Sequence, residues 1–349
     1  MHALLRDDEA VVAVPPRRGV VATGRGRRVA VVAVAAVVVL VAGGLSLALG
    51  VRGVALADTW QALVDPVAGN VDHAVIRGQR VPRTVIGLLA GVALGLAGVL
   101  AQAVTRNPLA DPGLLGLNAG ASLGIVVAAT TFGVVAPAAS IWFAFVGAAI
   151  AAVLVFAIGH GRPVQLALAG ATVSALLTPI TTLLLFRDVN ALDSLRFWAV
   201  GALTGRDLDA VAVLWPFVAL GAVVAAALAH RLNGLALGDD VAAGLGQRVG
   251  VTRTWAGAAI VCLAGAATAL AGPIALVGLA VPHAARRLVG TDYRWLVPLC
   301  ALLGPAMLLT ADIVGRLLGD DELEAGVVAA LIGAPVLIAV ARGRRVAGL

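Results

Sequence analysis

Residues 80–124 read RVPRTVIGLLAGVALGLAGVLAQAVTRNPLADPGLLGLNAGASLG. Two glycine-rich apolar runs flank a short polar turn at residues 105–112. Each run is close to the roughly 20 residues that a helix needs to cross the hydrocarbon core of a membrane. The turn between them is then expected to lie in water on one side of that membrane. The stretch therefore predicts a protein that crosses a membrane more than once.

The apolar character continues along the chain, which is 61% hydrophobic and 13% charged. A soluble domain carries about 25% charged residues. Unpaired backbone groups are not tolerated in lipid, and no alternating ten-residue strands appear, so we predict helical crossings. The predicted fold class is all-α, a polytopic membrane protein with about ten transmembrane helices. The predicted crossings are 29–50, 82–104, 113–134, 139–158, 164–186, 211–230, 255–271, 274–288, 295–315 and 326–340.

Two regions are predicted. Residues 1–28 are polar and arginine-rich, and we expect a disordered cytoplasmic tail there. Residues 29–349 form the transmembrane domain. Ala55-Leu56-Ala57 resembles a signal-peptide cleavage site, but the preceding apolar run is longer than a signal core, so an uncleaved helix is the preferred interpretation.

The distribution of arginine predicts the orientation in the membrane. All 25 basic residues are arginine, and ten crossings place both termini on one side. Most of the arginines fall on that side, so we predict cytoplasmic termini in the plasma (inner) membrane. The pI of about 11.0 could indicate nucleic-acid binding, but the arginines lie between crossings rather than on one face, so no nucleic-acid partner is predicted.

Glycines four residues apart allow helix backbones to approach closely. Gly91 and Gly95 form one such pair, and Gly116, Gly120 and Gly124 form a row, which we interpret as helix-packing positions. The alternative is the general enrichment of glycine in membrane helices.

Ionisable groups within the crossings are sparse. Asp312 lies four residues before Arg316, a spacing that favours a structural ion pair, with a role in a transport pathway as the alternative. His283 is interpreted as a satisfied polar residue. Cys262 and Cys300 lie in apolar runs without metal-ligand spacing, so no metal site is predicted.

The sequence contains neither a nucleophile with an adjacent base nor the GxxxxGK[ST] phosphate-binding motif. We therefore predict no catalytic residue and no bound cofactor, and a transporter would take its energy from a partner. An ion-coupled secondary transporter is the main alternative, and it requires acids at mid-membrane. An integral membrane enzyme is a third possibility, and it requires a buried polar cluster.

Seven segments in order resemble the permease subunits of FecCD-type ABC importers, which carry iron–siderophores, haem and vitamin B12. The resemblance covers roughly residues 30–345. The segments are RVPR (80–83), the AGxxLGLAGxxxQ run ending at Gln102, RNPLADPGLLG (106–116), LALGDDVAAGLG (235–246), GPIALVGLAVPHAARRLVG (272–290), TADIVGR (310–316) and GVVAALIGAPVLIAV (326–340).

The resemblance implies a vitamin-B12-importer-like permease fold and a half-transporter that works by alternating access. A second permease copy or a sister permease would complete the path, and separate ATPase subunits would bind ATP and Mg. An extracytoplasmic binding protein would deliver the cargo. A siderophore complex of Fe(III) is the expected cargo because it is the commonest in the family, with haem and cobalamin left open.

The resemblance also implies roles for individual residues. Arg80, Arg83 and Arg316 match arginines that dock the binding protein at the outer surface. A coupling loop at about 231–254 would seat on the ATPase, with two further short segments beside it. The coupling residues are Leu235, Gly238, Asp239, Asp240, Gly244 and Gly246, and the neighbouring cytoplasmic residues are Asn107, Pro108, Pro112, Pro282 and His283.

Overall fold

The computed structural model describes residues 24–50, 52–159, 163–318 and 322–343, and every regular element within these ranges is helical. The predicted all-α fold is therefore confirmed. A π-helical turn, Ile76–Arg80, joins α3 to α4, and a 3-10 turn, Pro112–Leu115, precedes α5. The helices are α1 Arg25–Ala48, α2 Leu56–Val64, α3 Val71–Val75, α4 Val81–Thr105, α5 Leu117–Phe132, α6 Pro137–Gly159, α7 Pro163–Leu185, α8 Val189–Ala199, α9 Leu208–Ala236, α10 Asp239–Gly244, α11 Val249–Ala271, α12 Val277–Val289, α13 Tyr293–Leu317 and α14 Ala325–Gly343.

Each predicted crossing overlaps one helix. Within the described parts of the chain, seven helices are long and apolar enough to cross a membrane, namely α1, the continuous helix Val71–Thr105, α6, α7, α9, α11 and α13. The helices α5 and α14 are apolar but shorter, and α12 is shorter still. The first 23 residues of the predicted tail lie outside the described residues. Its last four, residues 25–28, are the first turn of α1, so the boundary predicted at residue 28 was placed one turn too late.

The centre of the bundle is α4, which packs against α13, α11, α12 and α9. The helices α11 and α13 are also largely buried, whereas α1 and α7 lie at the periphery. The core around α4 is built from alanine, leucine, valine and glycine, small enough for several helices to surround it closely.

The contact between α4 and α13 is made by backbone atoms. A Cβ atom built on Gly91 would lie 2.3 Å from the Cα of Pro305, and one on Gly95 would lie 2.3 Å from the carbonyl oxygen of Cys300. Carbon and oxygen atoms cannot approach that closely, so any side chain at either position would push the helices apart. These glycines allow the helices to make close van der Waals contact in a solvent that supplies little hydrophobic drive between helices.

The contact between α5 and α6 is also made by backbone atoms, at two of the three glycines in the predicted row. Cβ atoms on Gly120 and Gly124 would lie 2.3 and 2.1 Å from the carbonyl oxygens of Gly147 and Phe143. Gly116 has a different position. It precedes α5 with a φ of +79°, and a Cβ atom there would meet its nearest neighbours at 3.5 Å. Gly116 therefore provides the left-handed backbone conformation of a turn and does not bring two helices close together.

The crossing predicted at 274–288 is only partly helical, which corrects the expectation that every crossing is a helix. Residues 272–276 are non-helical, and Leu276 has a φ of +68°. The 13 residues of α12 then extend about 20 Å, less than the roughly 30 Å of the hydrocarbon core. Irregular backbone at such a place is tolerated only where protein covers it, and here Gly201 and Gly333 pack against this segment.

The polar turn at 105–112 was expected to lie wholly in water, and the structure corrects this too. Arg106, Asn107 and Leu109 are exposed, but Ala110 and Pro112 are buried. A Cβ atom on Gly278 of α12 would lie 2.8 Å from the Pro112 ring. The chain therefore turns back into the bundle before α5 begins, which shortens α5 to 16 residues.

We predict that Gly91→Ala destabilises the protein although alanine is the better helix former. The added methyl group meets the backbone of Pro305, and overpacking of this kind costs about 1–3 kcal/mol. The matched control is Gly44→Ala on α1, where a Cβ atom meets nothing within 4 Å. Thermal unfolding of the detergent-solubilised protein should show a lower midpoint for Gly91→Ala alone, and equal midpoints for both variants would contradict the close contact.

Candidate functional site

Side-chain contacts between neighbouring helices show which helix ends lie together at each end of the bundle. At one end, Asn233 near the end of α9 donates to Asp292, which precedes α13, over 2.8 Å. At the same end, Arg253 near the start of α11 binds Asp239 of α10. We call this the α10 end. The opposite end, where Arg80, Arg83 and Arg316 lie, we call the arginine end.

A buried carboxylate organises the arginine end. The side chain of Asp312 on α13 is fully buried, and its two oxygens accept from Arg316 Nη2 and Arg83 Nε, both over 2.7 Å. The predicted Asp312–Arg316 pair is therefore confirmed. Arg83, on α4, is a second partner that helical spacing could not reveal, because it lies 229 residues away in sequence. A charge buried this deeply requires such partners.

Arg316 and Arg80 also bind the last carbonyls of α1. Arg316 Nη1 donates to the carbonyls of Ser46 and Leu49 over 2.9 and 2.8 Å. Arg80 Nη1 donates to the carbonyl of Ala48 over 2.7 Å. Carbonyls at a helix C-terminus have no partner within the helix and carry partial negative charge, so two guanidinium groups are favourable there. The cluster thus joins α1, α4 and α13.

The three arginines lie at one end of the bundle, as the resemblance implies, but their charged groups are buried below the surface. Arg80, Arg83 and Arg316 are 4%, 7% and 4% exposed. Most of their donors are taken by partners within the chain, including Glu322, which accepts from Arg83 Nη1 over 2.6 Å. Docking of a binding protein by these residues stays a prediction, and it requires their side chains to exchange present partners for new ones.

At the α10 end, the predicted coupling residues form a turn, a short helix and a second turn. Gly238 has a φ of +118° and Gly246 a φ of +77°, so both occupy backbone conformations that favour glycine. Between them, α10 begins with Asp239 and Asp240 and ends at Gly244. Acidic residues in the first turn complement the helix dipole. The remaining coupling residue, Leu235, is buried in the last turn of α9 and anchors the loop to the bundle.

Asp239 ties α10 to the bundle. Its two oxygens accept from Arg253 Nη1 and Nη2 over 3.0 and 2.9 Å, a bidentate pair that fixes orientation as well as position. Arg106, which follows α4 and has a φ of +52°, approaches the same carboxylate at 3.8 Å. The carboxylate therefore connects α10 with the start of α11 and the end of α4.

Large apolar side chains are exposed on α10 and beside it. Val241 in α10, Leu237 before it and Leu245 after it are 47%, 66% and 65% exposed, and we call these three residues the apolar face of α10. Ala242, which follows Val241, is fully buried. The sequence-based prediction named Leu235 and the acidic and glycine residues of this loop but not these three, although apolar residues at intervals of four are a signal that the sequence carries.

The other predicted cytoplasmic residues do not form one surface. Asn107 and Pro108 lie at the α10 end, where the Asn107 side chain accepts from the Leu109 amide over 2.9 Å. Pro108 borders an open recess of about 770 Å³ that Leu237 and Arg286 also line. Pro112 and Pro282 are instead buried. Pro112 still lies in the connection between α4 and α5, whereas Pro282 and His283 lie inside α12 and not in a loop. His283 is half-buried on α12.

Two further polar residues hold the helices at this end. Gln102 on α4 is buried, and its amide oxygen accepts from Arg286 on α12. Its Nε2 approaches the carbonyls of Gly278 and Leu279 at 3.5 and 3.4 Å. Before α13, Asp292 accepts from Arg294, and this hydrogen bond lowers the pKa of the carboxyl from 3.8 to about 2. Asp292 is therefore charged at any physiological pH.

A model of the FecCD transport family matches residues 32–343. The chain belongs to the FecCD transport family. The match begins inside α1 and ends at the last residue of α14, so it includes both ends of the bundle described above.

Individual proteins agree with membership in the FecCD family. The chain is 44% identical over 308 residues to the ferric enterobactin transport system permease protein FepD of Escherichia coli, covering 87% of this chain and 92% of that protein. It is 38% identical to the Fe(3+)-citrate import system permease protein YfmD of Bacillus subtilis, covering 86% and 91%. These identities confirm the family that the seven sequence segments indicated.

A solved structure shares the fold. It is described as an inward-facing conformation of a metal-chelate type ABC transporter, and one of its chains superposes with a TM-score of 0.80 at 27% sequence identity. The superposition covers 90% of this chain and 99% of that one. The predicted permease fold is therefore confirmed along nearly the whole FecCD chain.

We predict that Asp312→Asn strongly destabilises the protein. The substitution leaves Arg83 and Arg316 buried without their shared carboxylate, and breaking a buried ion pair costs about 3–5 kcal/mol. The control is Glu322→Gln, which removes a partly exposed partner of Arg83 and should cost about 0–1 kcal/mol. Chemical unfolding of the detergent-solubilised protein would measure both, and similar losses would show that Asp312 does not organise this end.

Proposed function

We propose that the chain is the transmembrane subunit of an ATP-binding-cassette importer that carries a siderophore complex of Fe(III) into the cytoplasm. Membership in the FecCD family supports the class of protein. The names of FepD and YfmD, which specify ferric enterobactin and Fe(3+)-citrate, support an iron chelate as the cargo. The observation that carries the proposal is α10, a short helix held outside the bundle with an apolar face in water.

The apolar face of α10 would be the seat of the ATPase subunit. Leu237, Val241 and Leu245 are large, exposed and adjacent, and burying one such side chain contributes about 1.5–3 kcal/mol. The recess beside them, lined in part by Arg106 and Arg286, offers room and positive charge for a partner. Exposed apolar clusters rimmed by polar groups commonly mark protein–protein contacts.

The ATPase would supply energy that the chain itself cannot supply, since its sequence has no GxxxxGK[ST] motif. ATP and Mg would bind on that partner. Closure of the ATPase pair would displace α10, and the Asp239 contacts would pass the displacement to α11 and α4. The permease would then alternate between outward-facing and inward-facing states, provided that the ATPase binds the two states with different affinity.

The proposed orientation puts the α10 end and both termini in the cytoplasm. Arg25, Arg106, Arg253 and Arg286 all lie at the α10 end, in agreement with the excess of arginine on cytoplasmic segments. The arginine end would then face outward. There, acidic groups of an extracytoplasmic binding protein would compete with Asp312 and Glu322 for the guanidinium of Arg83.

A second permease subunit, either another copy or a sister protein, would complete the translocation path. The peripheral helix α7 exposes Leu168, Leu176 and Leu183, and α14 exposes Leu331. A partner permease packed on these faces would bury the exposed leucines, and the translocation path would form between the two subunits.

The ion-coupled alternative has less support. It needs an acid within the membrane that can bind and release a cation. Among the described residues, Asp312 is the buried carboxylate within the long helices, and it is already neutralised by two arginines.

We predict that an ATPase subunit co-purifies with the tagged protein from its own host in mild detergent. With the variant L237S/V241S/L245S, the amount of co-purified ATPase should fall at least tenfold. Removing three apolar contacts should exceed the 1.4 kcal/mol that corresponds to about tenfold in affinity. The matched control is L56S/V64S on α2, whose side chains are 73% and 65% exposed at the arginine end.

Mass spectrometry of the eluates would identify and quantify the ATPase. Full retention by the α10 variant would place the ATPase seat elsewhere, and equal loss in the α2 variant would show a non-specific effect. If neither the intact protein nor the variants bring down an ATPase, the importer proposal fails and ion coupling becomes the leading explanation.

The cargo is tested separately. Deleting the gene in its own host should lower uptake of radioactive iron presented as the siderophore complex that this importer carries, because the permease forms the transmembrane path of that importer. Uptake of labelled cobalamin should stay unchanged, and re-expression of the intact chain should restore iron uptake. Loss of cobalamin uptake with normal iron uptake would assign the other cargo class.

A further inference from the structure

An open recess of about 650 Å³ lies at the α10 end between the first turns of α1 and α13. The proposed transport function uses neither this recess nor the helix α1 that forms one of its walls. Its size falls within the range of roughly 300–1,000 Å³ that is typical of small-molecule sites. The lining residues are Arg25, Arg28, Val32, Arg294, Trp295 and Pro298.

The rim of the recess is positively charged. It carries three guanidinium groups, and the nearby carboxylate of Asp292 offsets one of them, being 2.8 Å from Arg294 and 3.8 Å from Arg28. Arg25 is exposed and forms no ion pair with any described residue. Because α1 and α13 both begin here, the positive ends of two helix dipoles add to the same field. An anion is therefore the ligand that the rim favours.

The apolar part of the recess lies deeper along both helices. Val32 is seven residues beyond Arg25, about 10 Å along the axis of α1, and Pro298 is about 6 Å beyond Arg294 on α13. The half-buried Trp295 lies at the level of the arginines, a position typical of the membrane–water interface. The recess thus changes from cationic to apolar in the direction that a membrane changes from head groups to acyl chains.

The apolar wall continues onto a surface that faces lipid. Beyond the recess, the exposed Leu40 lies eight residues after Val32, within about 80° of it around the axis of α1. A ligand seated at the arginines therefore has an uninterrupted apolar surface beside it. A soluble anion would use only the rim, whereas an amphiphile with a long chain would use both parts.

We propose that this recess binds an anionic phospholipid, with the head-group phosphate between Arg25 and Arg294 and the acyl chains along Val32 and Pro298. Basic pockets between transmembrane helices are suited to such head groups. The bound lipid would bridge α1 and α13. At the opposite end, Arg80 and Arg316 already hold α1. The lipid would therefore secure the end at which Arg28 of α1 pairs with Asp292 before α13.

The test uses the full-length chain, delipidated in a neutral detergent and titrated with phosphatidylglycerol or phosphatidylcholine. Native mass spectrometry would count bound lipid, and thermal unfolding would report stabilisation. We expect preferential binding of phosphatidylglycerol and a higher unfolding midpoint. The variant R25Q/R294Q should weaken this binding at least about tenfold, because each arginine near an anionic lipid surface contributes about 1 kcal/mol.

Two further variants keep the test decisive. The variant R231Q/R248Q removes two exposed arginines from the same end but outside the recess, and it should bind like the intact protein. The variant R25K/R294K keeps the charge and should retain most of the binding, which separates loss of the site from loss of the fold. Both substituted side chains in the test variant are exposed, so we expect it to fold.

Three results would overturn the proposal. Equal binding of both lipids would show that the recess does not recognise charge, and equal loss in R231Q/R248Q would show a diffuse effect of net charge. Inorganic phosphate that raises the unfolding midpoint as much as phosphatidylglycerol does would assign the rim to a soluble anion. Each outcome can be separated from failure of the importer proposal, because the measurements need neither an ATPase nor a cargo.

Discussion

The contact between α4 and α13 is the constraint on which the rest of the bundle depends. Gly91 and Gly95 let the two backbones touch, and at one end of the same pair the carboxylate of Asp312 lies between Arg83 and Arg316. Close backbone contact brings α4 and α13 near enough for a buried three-charge cluster to form. The cluster in turn prevents the helices from sliding along each other, because any shift would leave a charge unpaired in a medium of low dielectric. The helices α11, α12 and α9 surround this pair.

The two ends of the bundle differ in how they treat charge. At the arginine end, the guanidinium groups of Arg80, Arg83 and Arg316 are buried and bind carbonyls and carboxylates of neighbouring helices, so the charge of these three is largely satisfied. At the α10 end, Arg25, Arg231 and Arg294 are exposed, and the apolar face of α10 lies beside them. This contrast supports different partners at the two ends. A partner at the arginine end must replace existing ion pairs, whereas a partner at the α10 end meets apolar and basic side chains that are already exposed.

The sequence was sufficient to predict the helical class, the order of the crossings and the Asp312–Arg316 pair, because these depend on hydropathy and on spacing along one helix. It was insufficient for Arg83, whose carboxylate partner is distant in sequence and whose burial depends on where α4 meets α13. The resemblance placed Pro112 and Pro282 in cytoplasmic segments beside the coupling loop, but it did not reveal that the bundle buries both side chains. The exposure of Leu237, Val241 and Leu245 could not be predicted either, because it depends on how α10 packs against the bundle.

The segment that contains α12 has a consequence for how the protein is made. A ribosome-bound translocation channel releases helices into lipid when their backbone hydrogen bonds are satisfied internally, and residues 272–276 do not meet that condition. We therefore expect this stretch to remain shielded until its neighbours cover it. Gly333 of α14 packs against Leu276, and α14 is made only after α12 and α13. Insertion of this segment is then expected to be completed late in synthesis, when α14 is in place.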